Sequence, residues 1–324
     1  MVTLKQVAMA AGVHLTIVSA ILNASKGNSR FGEMTQKRVL KVAKALGYVR
    51  NESARRLRTG TSNAIGFIGG DLRNPFFSEL TAALEHELQL HNLQLVLSHV
   101  SSSRADVRSK TVGMFQQQMV GKIIYWDESA SRTTPKVPDN CFLYPIGFTV
   151  RPRPGVWLDL GHAIRLAVGY FIQRNMRRIC FYAPAGQVES PSVAIRKKIF
   201  LDECHRQKLP LPICCTYEGE SWDIEAAVRG ARNLLKHEPA IEALVGFNDI
   251  AALGFLLASG KMRPKPVVVC FDGTPLARAW PGQPLVFELK ISQLAQQTVE
   301  VVIGNKSLTV TGRKEHWLRP ELIV

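Results

Sequence analysis

The chain has 324 residues, of which 46% are apolar and 21% are charged, a composition typical of a globular protein of two or three domains. This composition excludes a fibrous or intrinsically disordered chain. No apolar stretch approaches the roughly 20 residues that a membrane span needs, and the amino terminus lacks the basic and apolar segments of a secretion signal, so we expect a soluble cytoplasmic protein.

The net charge of +15 is unevenly distributed along the chain. Residues 1–63 carry eleven Lys and Arg against two Glu, whereas the remaining residues carry 30 Lys and Arg against 24 Asp and Glu. A strongly basic amino-terminal module, or head, joined to a body of nearly balanced charge indicates that the head binds a polyanion and that the body has a separate function. A solvated basic face is the alternative that charge alone leaves open.

Motifs for enzymatic or metal chemistry are missing from the sequence. The six cysteines lie mostly in apolar runs without a CxxC pair, which is typical of buried thiols in a reducing compartment. The eight histidines lack metal-ligand spacing, and no GxSxG, HExxH or GxxxxGKS/T motif occurs. We therefore predict no metal ion, no cofactor and no enzymatic activity.

The first elements in chain order form a predicted helix-turn-helix. Thr3 fits the first position of a capping box that starts a helix at Leu4, and Gly12 permits the tight turn that ends this helix. Helical periodicity resumes over Leu15–Asn23, with His14 in front of it as a cap or as a neighbour of a phosphate.

A third helix is predicted over 36–46, with Thr35 as its N-cap and Gly47 at its end. The segment 51–60 follows with three arginines around small and apolar residues. An isolated helix of two turns is marginal in water, so we expect this segment to become ordered only against a partner.

The pattern changes at Ala64 to short apolar runs that alternate with helical stretches, and the alternation begins again near residue 178. Such a pattern predicts an α/β core of two doubly wound parallel-sheet lobes behind the all-α head. The candidate strands cover 64–68, 93–98, 122–126, 141–146, 178–182, 213–217, 242–247 and 266–271. The candidate helices cover 77–91, 104–118, 160–174, 194–207, 223–237 and 249–259.

Polar and aromatic side chains come directly after several predicted strands, at the sheet edge where doubly wound folds bind ligands. Arg, Asn and Asp offer donors and acceptors to a polyhydroxylated ligand, and an aromatic face covers the apolar side of a sugar ring. For Asn74 and Asn248, helix capping is the alternative. The candidate ligand-binding residues are Asp71, Asn74, Phe76, Phe77, Arg196, Trp222, Asn248 and Asp272.

The order and spacing of these motifs resemble the LacI/GalR family, the lactose-repressor and galactose-repressor type of bacterial transcription regulator. The resemblance rests on 2–8, 11–13, 18–19, 22–23, 47–48 and 51–60 in the head, and on 65–66, 74–77, Asp159, Arg196, 248–249 and 271–272 in the body. It covers nearly the whole chain. All the candidate ligand-binding residues except Trp222 also match positions that contact the effector in the family.

The resemblance implies a helix-turn-helix DNA-binding domain over 1–50, a hinge helix and linker over 51–63, and a periplasmic-binding-protein-like core for effector binding and dimerisation over 64–324. The expected partners are a pseudo-palindromic operator in double-stranded DNA, a second copy of the chain, and a small-molecule effector, a sugar or sugar derivative. We expect a repressor at the nucleoid, with no membrane partner, whose operator affinity the effector modulates.

The resemblance also implies that the second helix enters the major groove. Leu15, Thr16 and Ala20 match base-reading positions, with helix packing as the alternative for Leu15 and Ala20, and Ser19 and Asn23 match phosphate-contacting positions. The head residues expected at the DNA are Thr3, His14, Leu15, Thr16, Ser19, Ala20, Asn23 and Tyr48.

Residues 51–58 resemble the family's hinge helix, which enters the minor groove at the operator centre. Leu57 matches the leucine wedge that unstacks a base step, and Ala54 lets two hinge helices approach each other closely. The arginines neutralise phosphates, so that affinity falls with salt. The hinge residues expected at the DNA are Asn51, Ala54, Arg55, Leu57 and Arg58.

Some positions depart from the family pattern. Arg50 replaces a proline before the hinge, Gly121 and Lys122 stand where relatives have Asp-Gly, and Ile199 replaces a glycine, which predicts a crowded helix contact. A regulator that has lost its effector response is therefore one alternative. The other is a soluble sugar-binding receptor or carbohydrate enzyme with an incidental basic head.

Overall fold

The chain divides into two compact units, Met1–Gly60 and Thr61–Val324. The computed structural model describes residues 2–23, 31–49, 62–99, 105–127, 141–148, 154–185, 190–209, 211–281, 284–304 and 315–323. Arg50 and the predicted hinge, 51–58, lie outside the described residues. Among the described helices, none is both long and apolar enough to cross a membrane alone, although Leu4–Ala11 and Leu15–Leu22 meet both criteria together across a bend of 108°.

The first unit confirms the predicted helix-turn-helix. The Thr3 hydroxyl accepts a hydrogen bond from the Gln6 backbone N–H at 3.3 Å, and the Gln6 carboxamide oxygen accepts one from the Thr3 backbone N–H at 2.8 Å. Gly12 has a φ of 62°, the left-handed conformation that ends the first helix. The described helices of this unit are α1 (Leu4–Ala11), α2 (Leu15–Asn23) and α3 (Glu33–Ala45).

The start of α3 differs from the prediction. The helix begins at Glu33, and its N-cap is Gly32 without a side-chain hydrogen bond, so the prediction of Thr35 as the cap is wrong. Glu33 places a negative charge at the positive end of the helix dipole, which favours the earlier start. The three helices close around Val7, Ala8, Ala11, Val18, Ile21, Val39 and Ala43.

The second unit contains the two predicted α/β lobes. The first-lobe sheet has the strand order β11-β5-β4-β3-β1-β2 and is parallel, and the second-lobe sheet has the order β12-β10-β9-β8-β6-β7, in which β12 runs antiparallel to β10. In chain order the elements are β1 (Ala64–Gly69), α4 (Pro75–Leu90), β2 (Gln94–His99), α5 (Ala105–Gln117), β3 (Lys122–Asp127), β4 (Phe142–Gly147), β5 (Gly155–Leu158), α6 (Leu160–Gln173), β6 (Ile179–Pro184), α7 (Pro191–Arg206), β7 (Ile213–Tyr217), α8 (Ile224–His237), β8 (Ala243–Gly246), α9 (Asp249–Ser259), β9 (Val267–Cys270), α10 (Pro275–Arg278), β10 (Leu285–Glu288), α11 (Ile291–Gly304), β11 (Glu315–Leu318) and β12 (Glu321–Ile323).

Helices cover both faces of these sheets, so the central strands β1 and β6 are buried along their whole length. A continuous cluster of buried apolar side chains runs through both lobes, from Ile65 in β1 to Leu318 in β11. Every strand and helix predicted for the body is present with somewhat shifted bounds. The prediction did not include β5, α10, β10, α11, β11 or β12.

The chain passes between the lobes at three places. It leaves the first lobe after β5, returns after β10 to form α11, which packs on α4, and leaves again between β11 and β12. The first lobe is therefore completed by the last part of the chain.

Two departures from the family pattern have a structural explanation. The Ile199 Cδ1 atom lies 3.5 Å from the place that a β-carbon on Gly161 would take, so the crowding expected from Ile199 is relieved by a glycine on the neighbouring helix α6. The Lys122 ammonium donates a hydrogen bond to the Val302 carbonyl at 2.5 Å, in the last turn of α11. A cation at that end complements the helix dipole.

Candidate effector cleft and DNA-binding surface

Arg196 lies between the two lobes. It stands in the second turn of α7, because this helix begins at Pro191 and not at 194, where the sequence predicted its start. The guanidinium carbon lies 4.5 Å from the ring centroid of Phe148, which follows β4 in the first lobe, and 4.1 Å from that of Phe247 in the second lobe. The guanidinium also donates a hydrogen bond to the Phe247 carbonyl. The cation of Arg196 is thus packed between aromatic rings of both lobes.

Asp272 is a buried carboxyl group beside Asp249. The Asp249 carboxylate accepts hydrogen bonds from the Asp272 backbone N–H at 3.2 Å, the Thr274 backbone N–H at 2.9 Å and the Thr274 hydroxyl at 2.7 Å. Burial and the negative charge of Asp249 raise the pKa of Asp272 to about 8, against the opposing effect of Arg196. At neutral pH the protonated form of Asp272 predominates, and its O–H can donate a hydrogen bond to a ligand oxygen.

Asn74 and Asn248 both cap helices, as their alternative interpretation proposed. The Asn74 side-chain oxygen accepts from the Phe76 backbone N–H at 3.1 Å, and the Asn248 oxygen accepts from the Ala251 backbone N–H at 2.9 Å. Their side-chain nitrogens meet at the same residue, because Asn248 donates to the Ser221 carbonyl at 2.7 Å and Asn74 approaches the Ser221 hydroxyl at 3.5 Å. The contact of Asn74 with Ser221 therefore crosses the cleft, and Asn248 holds Ser221 from within the second lobe.

Asp71 holds Arg73 at the mouth of the cleft. The Arg73 Nε donates to both Asp71 carboxylate oxygens, at 3.0 and 3.1 Å, and the hydrogen bond from Arg73 lowers the pKa of Asp71. The Arg73 guanidinium carbon lies 3.7 Å from the ring centroid of Trp222 in the second lobe. Asp71 and Trp222, both predicted as ligand residues, are thus linked through Arg73, which the sequence did not single out.

Phe76 and Phe77 belong to an aromatic cluster under the cleft. Their rings pack edge-to-face against Trp126, with centroids 5.0 and 5.3 Å away, and Trp126 packs in turn on Phe148 at 5.6 Å. Phe76 and Phe77 are 3% and 7% exposed. Because both rings are buried, they contribute mainly to the packing beneath the cleft and little to its surface.

Ser192 is a further polar group that sequence reasoning missed. The residue is fully buried in the first turn of α7, and its hydroxyl has no hydrogen-bond partner among the described residues. Ser190 is the N-cap of α7 and Pro191 is its first residue, a signal for a helix start that the sequence contains. Recognition of that signal would have put both Ser192 and Arg196 on the helix facing the cleft.

The surface of α2 matches the arrangement expected of a recognition helix. Val18 and Ile21 are buried, whereas Leu15, Thr16 and Ala20 are exposed, Leu15 to 42%. Helix packing therefore does not explain Leu15 or Ala20.

His14 caps the same helix: its Nδ1 accepts from the Thr16 backbone N–H at 3.4 Å and lies 2.8 Å from the Thr16 hydroxyl. Thr3 is exposed, Ser19 is half-buried, and Tyr48 packs on the core of the head. The side chain of Asn23 and the whole of Asn51, Ala54, Arg55, Leu57 and Arg58 lie outside the described residues.

The cysteines of the described chain are free thiols, and Cys141, Cys180, Cys204 and Cys270 are buried. Burial raises the pKa of Cys204 to about 12 and those of Cys180 and Cys270 well above the ordinary range, which keeps these thiols protonated. Within the described ranges, no group of three or more His, Cys, Asp and Glu side chains has the arrangement of a metal site.

Residues 62–274 match the family described as the periplasmic binding proteins and sugar binding domain of the LacI family. The chain belongs to this family. It is 29% identical over 264 residues to the maltose regulon regulatory protein of Escherichia coli (strain K12), covering 78% of this chain and 73% of that protein. It is also 29% identical over 283 residues to the ribose operon repressor of Bacillus subtilis (strain 168), covering 85% and 82%.

The fold is similar to that of the lac repressor dimer bound to operator and an anti-inducer, with a TM-score of 0.81 and 19% identity over 100% of this chain and 98% of that one. The LacI-family assignment confirms the predicted fold class and the prediction of a transcription regulator rather than an enzyme. LacI-family regulators are cytoplasmic DNA-binding proteins, in agreement with the expected location.

Proposed function

We propose that this LacI-family chain represses transcription as a dimer on a pseudo-palindromic operator. In this proposal residues 1–50 bind the operator half-site, residues 51–63 form the hinge, and residues 64–324 bind the effector and dimerise. The regulator is then associated with the nucleoid. The proposal is supported by relatives that are named as operon regulators and by a structural neighbour bound to operator.

The observation that carries the DNA-binding proposal is the surface of α2. Leu15, Thr16 and Ala20 are exposed together on a helix whose opposite side is buried, at the exit of a glycine turn. In the major groove Thr16 offers a hydroxyl to a base edge, and Leu15 offers apolar contact to a thymine methyl. Ser19 and Asn23 match phosphate-contacting positions of the family, and such contacts fix the register of the helix without reading sequence.

We further propose that the cleft between the lobes binds a sugar or a sugar derivative. Arg196 and the protonated carboxyl of Asp272 supply hydrogen-bond donors, and the buried Ser192 hydroxyl offers both a donor and an acceptor. The indole of Trp222 supplies a flat apolar surface for one face of a sugar ring. The B. subtilis relative is named for ribose and the E. coli relative for maltose, which favours a carbohydrate.

The mechanism proposed for regulation is linkage between the cleft and the head. A ligand that prefers one arrangement of the lobes stabilises it, and the arrangement of the lobes sets the spacing at which two hinge segments can enter the minor groove. A coupling of about 1 to 3 kcal/mol would change operator affinity by about 5- to 150-fold.

The test is selection of the full-length protein against a random duplex library at near-physiological salt. An enriched palindrome with a flexible central step is the expected result. Binding without any enriched sequence would leave only phosphate contacts and would contradict sequence-specific regulation.

Leu57→Ala tests the wedge on the selected operator. It should weaken binding tenfold or more, on the order of the cost of losing a base-step wedge, and leave dimerisation intact. Leu40→Ala, which changes a leucine that is 51% exposed on α3, is the matched control and should bind as the wild type does. If Leu57→Ala binds the operator as tightly as Leu40→Ala and the wild type do, the assignment of Leu57 as the wedge is wrong.

The alternative of a sugar receptor without specific DNA binding would require unchanged ligand binding and no duplex preference when the full chain is compared with residues 62–324. Calorimetry with a panel of sugars addresses the second alternative, a regulator without effector response. Failure of every sugar to bind, together with a selected operator, would favour it.

A further inference from the structure

Two short segments face each other across the mouth of the cleft. The first is 71–74, between β1 and α4 of the first lobe, and the second is 220–222, between β7 and α8 of the second lobe. The Arg73 guanidinium lies 3.7 Å from the Trp222 ring centroid, and the Asn74 carboxamide lies 3.5 Å from the Ser221 hydroxyl. The hydrogen bond with Asp71 raises the pKa of Arg73 most, and the negative charge of Glu220 raises it further. Glu220 of the second lobe thus also attracts the Arg73 guanidinium.

Arg73 is held in its orientation from within the first lobe. The Asp71 carboxylate accepts from the Arg73 backbone N–H at 2.9 Å, from Nε at 3.0 and 3.1 Å, and from a terminal nitrogen at 2.5 Å. The His99 Nε2 lies 3.5 Å from the same carboxylate. A guanidinium that is already fixed by these contacts loses little further conformational freedom when it packs on an aromatic ring.

The residues on either side of Trp222 are held from within the second lobe. Asn248 donates to the carbonyl of the preceding Ser221 at 2.7 Å, and the following Asp223 is the N-cap of α8, accepting from the Ala226 backbone N–H at 2.9 Å. The backbone that carries Trp222 is therefore fixed by its own lobe, and the Arg73 side chain is fixed by Asp71. The Arg73 side chain is 61% exposed and already forms an ion pair with Asp71 in its own segment. A surface ion pair alone therefore does not explain why the guanidinium lies on the Trp222 ring.

We propose that Arg73 and Trp222 form a latch that keeps the lobes closed without a bound small molecule. The cation–π contact joins the two lobes at the mouth of the cleft. The closed form is then the ligand-free form that binds operator, so an effector that lowers operator affinity must separate Arg73 from Trp222. The inference rests on the proposed function only in its second, DNA-binding measurement.

The first measurement follows Trp222 itself by acrylamide quenching of tryptophan fluorescence in the ligand-free protein. Arg73→Gln should raise the quenching constant, because it uncovers one face of the indole. The same change made in the Trp222→Phe background should leave quenching unaltered. Arg229→Gln is the matched control, an arginine that is 65% exposed on α8 and paired with Glu225, and it should have no effect.

The second measurement is a double-mutant cycle on operator affinity without any added ligand. Arg73→Gln and Trp222→Leu should each weaken binding by about two- to fivefold, the range of a partly exposed cation–π contact. The double variant should be no weaker than either single one, because both remove the same contact. Arg73→Lys should recover only part of the affinity, since an ammonium lacks the planar fork that Asp71 holds.

Unchanged quenching in Arg73→Gln, or an equal change in the Trp222→Phe background, would overturn the latch. Multiplicative effects of the two single variants on operator affinity would overturn its link to DNA binding. If the wild type binds no operator, the proposed DNA-binding function fails, while the quenching result still decides whether the latch exists.

Discussion

Asp272→Asn should change how stability depends on pH, because the carboxyl of Asp272 is buried beside Asp249. Its pKa is raised from 3.8 to about 8 by burial first and by Asp249 second. Between these values the folded protein binds about one proton more than the unfolded chain at this residue. The free energy of unfolding therefore falls as pH rises, by about 1.4 kcal/mol per pH unit at most.

Asparagine keeps the shape of the side chain and cannot ionise. From pH 6 to pH 7.5 the wild type should lose about 2 kcal/mol of unfolding free energy that Asp272→Asn retains, which corresponds to about 4 °C in Tm for a domain of this size. Urea and thermal unfolding at the two pH values measure the difference. The titrating groups that do not contact Asp272 are the same in both proteins, so their contributions cancel in the comparison.

Asp202→Asn is the matched control, because Asp202 is an exposed aspartate paired with Lys198 at 2.7 Å. Its pH profile should run parallel to that of the wild type. Parallel profiles for Asp272→Asn and the wild type would refute the assignment of a raised pKa, and with it the idea that Asp272 meets a ligand as a hydrogen-bond donor.

Three further predictions address the head, the cleft and the packing of the second lobe. Thr16→Val should lower operator affinity by about tenfold in a filter-binding or fluorescence-anisotropy titration, because it removes the hydroxyl that faces a base, and unaltered affinity would contradict the major-groove assignment. Ser192→Ala should leave the unfolding free energy within about 0.5 kcal/mol of the wild type in urea titrations, since the hydroxyl has no partner to lose, and a loss well above 1 kcal/mol would argue against that assignment. Gly254→Ala should destabilise by about 1 to 3 kcal/mol in the same assay, because the new β-carbon would lie 2.5 Å from the Ala227 β-carbon in the contact of α8 with α9. Gly169→Ala in α6, where nothing lies within 4 Å of the added carbon, should instead stabilise by about 0.5 to 1 kcal/mol, and equal signs for the two glycines would refute the packing argument.

Local sequence signals predicted the head and most of the lobes. The Thr3 capping box, Gly12 and the capping role of His14 depend on neighbours within a few residues, so their geometry follows from the sequence. The strands β11 and β12 are four and three residues long, too short to show a period, and they are stabilised by pairing with distant strands.

The chemistry of the cleft depends on contacts that no local pattern encodes. Arg73 and Trp222 come from different lobes, and their contact exists only because the lobes close on each other. The pKa of Asp272 is raised first by burial and then by Asp249, which the fold brings beside it from the start of α9. Sequence spacing could propose the members of the site, but not which of them touch.

The threefold passage of the chain between the lobes has a consequence for how the protein is made. Strands β1 to β5 of the first-lobe sheet lie in the first half of the chain. The edge strand β11 and the helix α11, which complete this lobe, are synthesised only near the end. During synthesis, that lobe stays unfinished until its last strand has left the ribosome, whereas most of the second lobe is already available. A truncated messenger would yield two incomplete lobes instead of one complete and one missing. The body can therefore reach its complete fold only after its last strands have been synthesised.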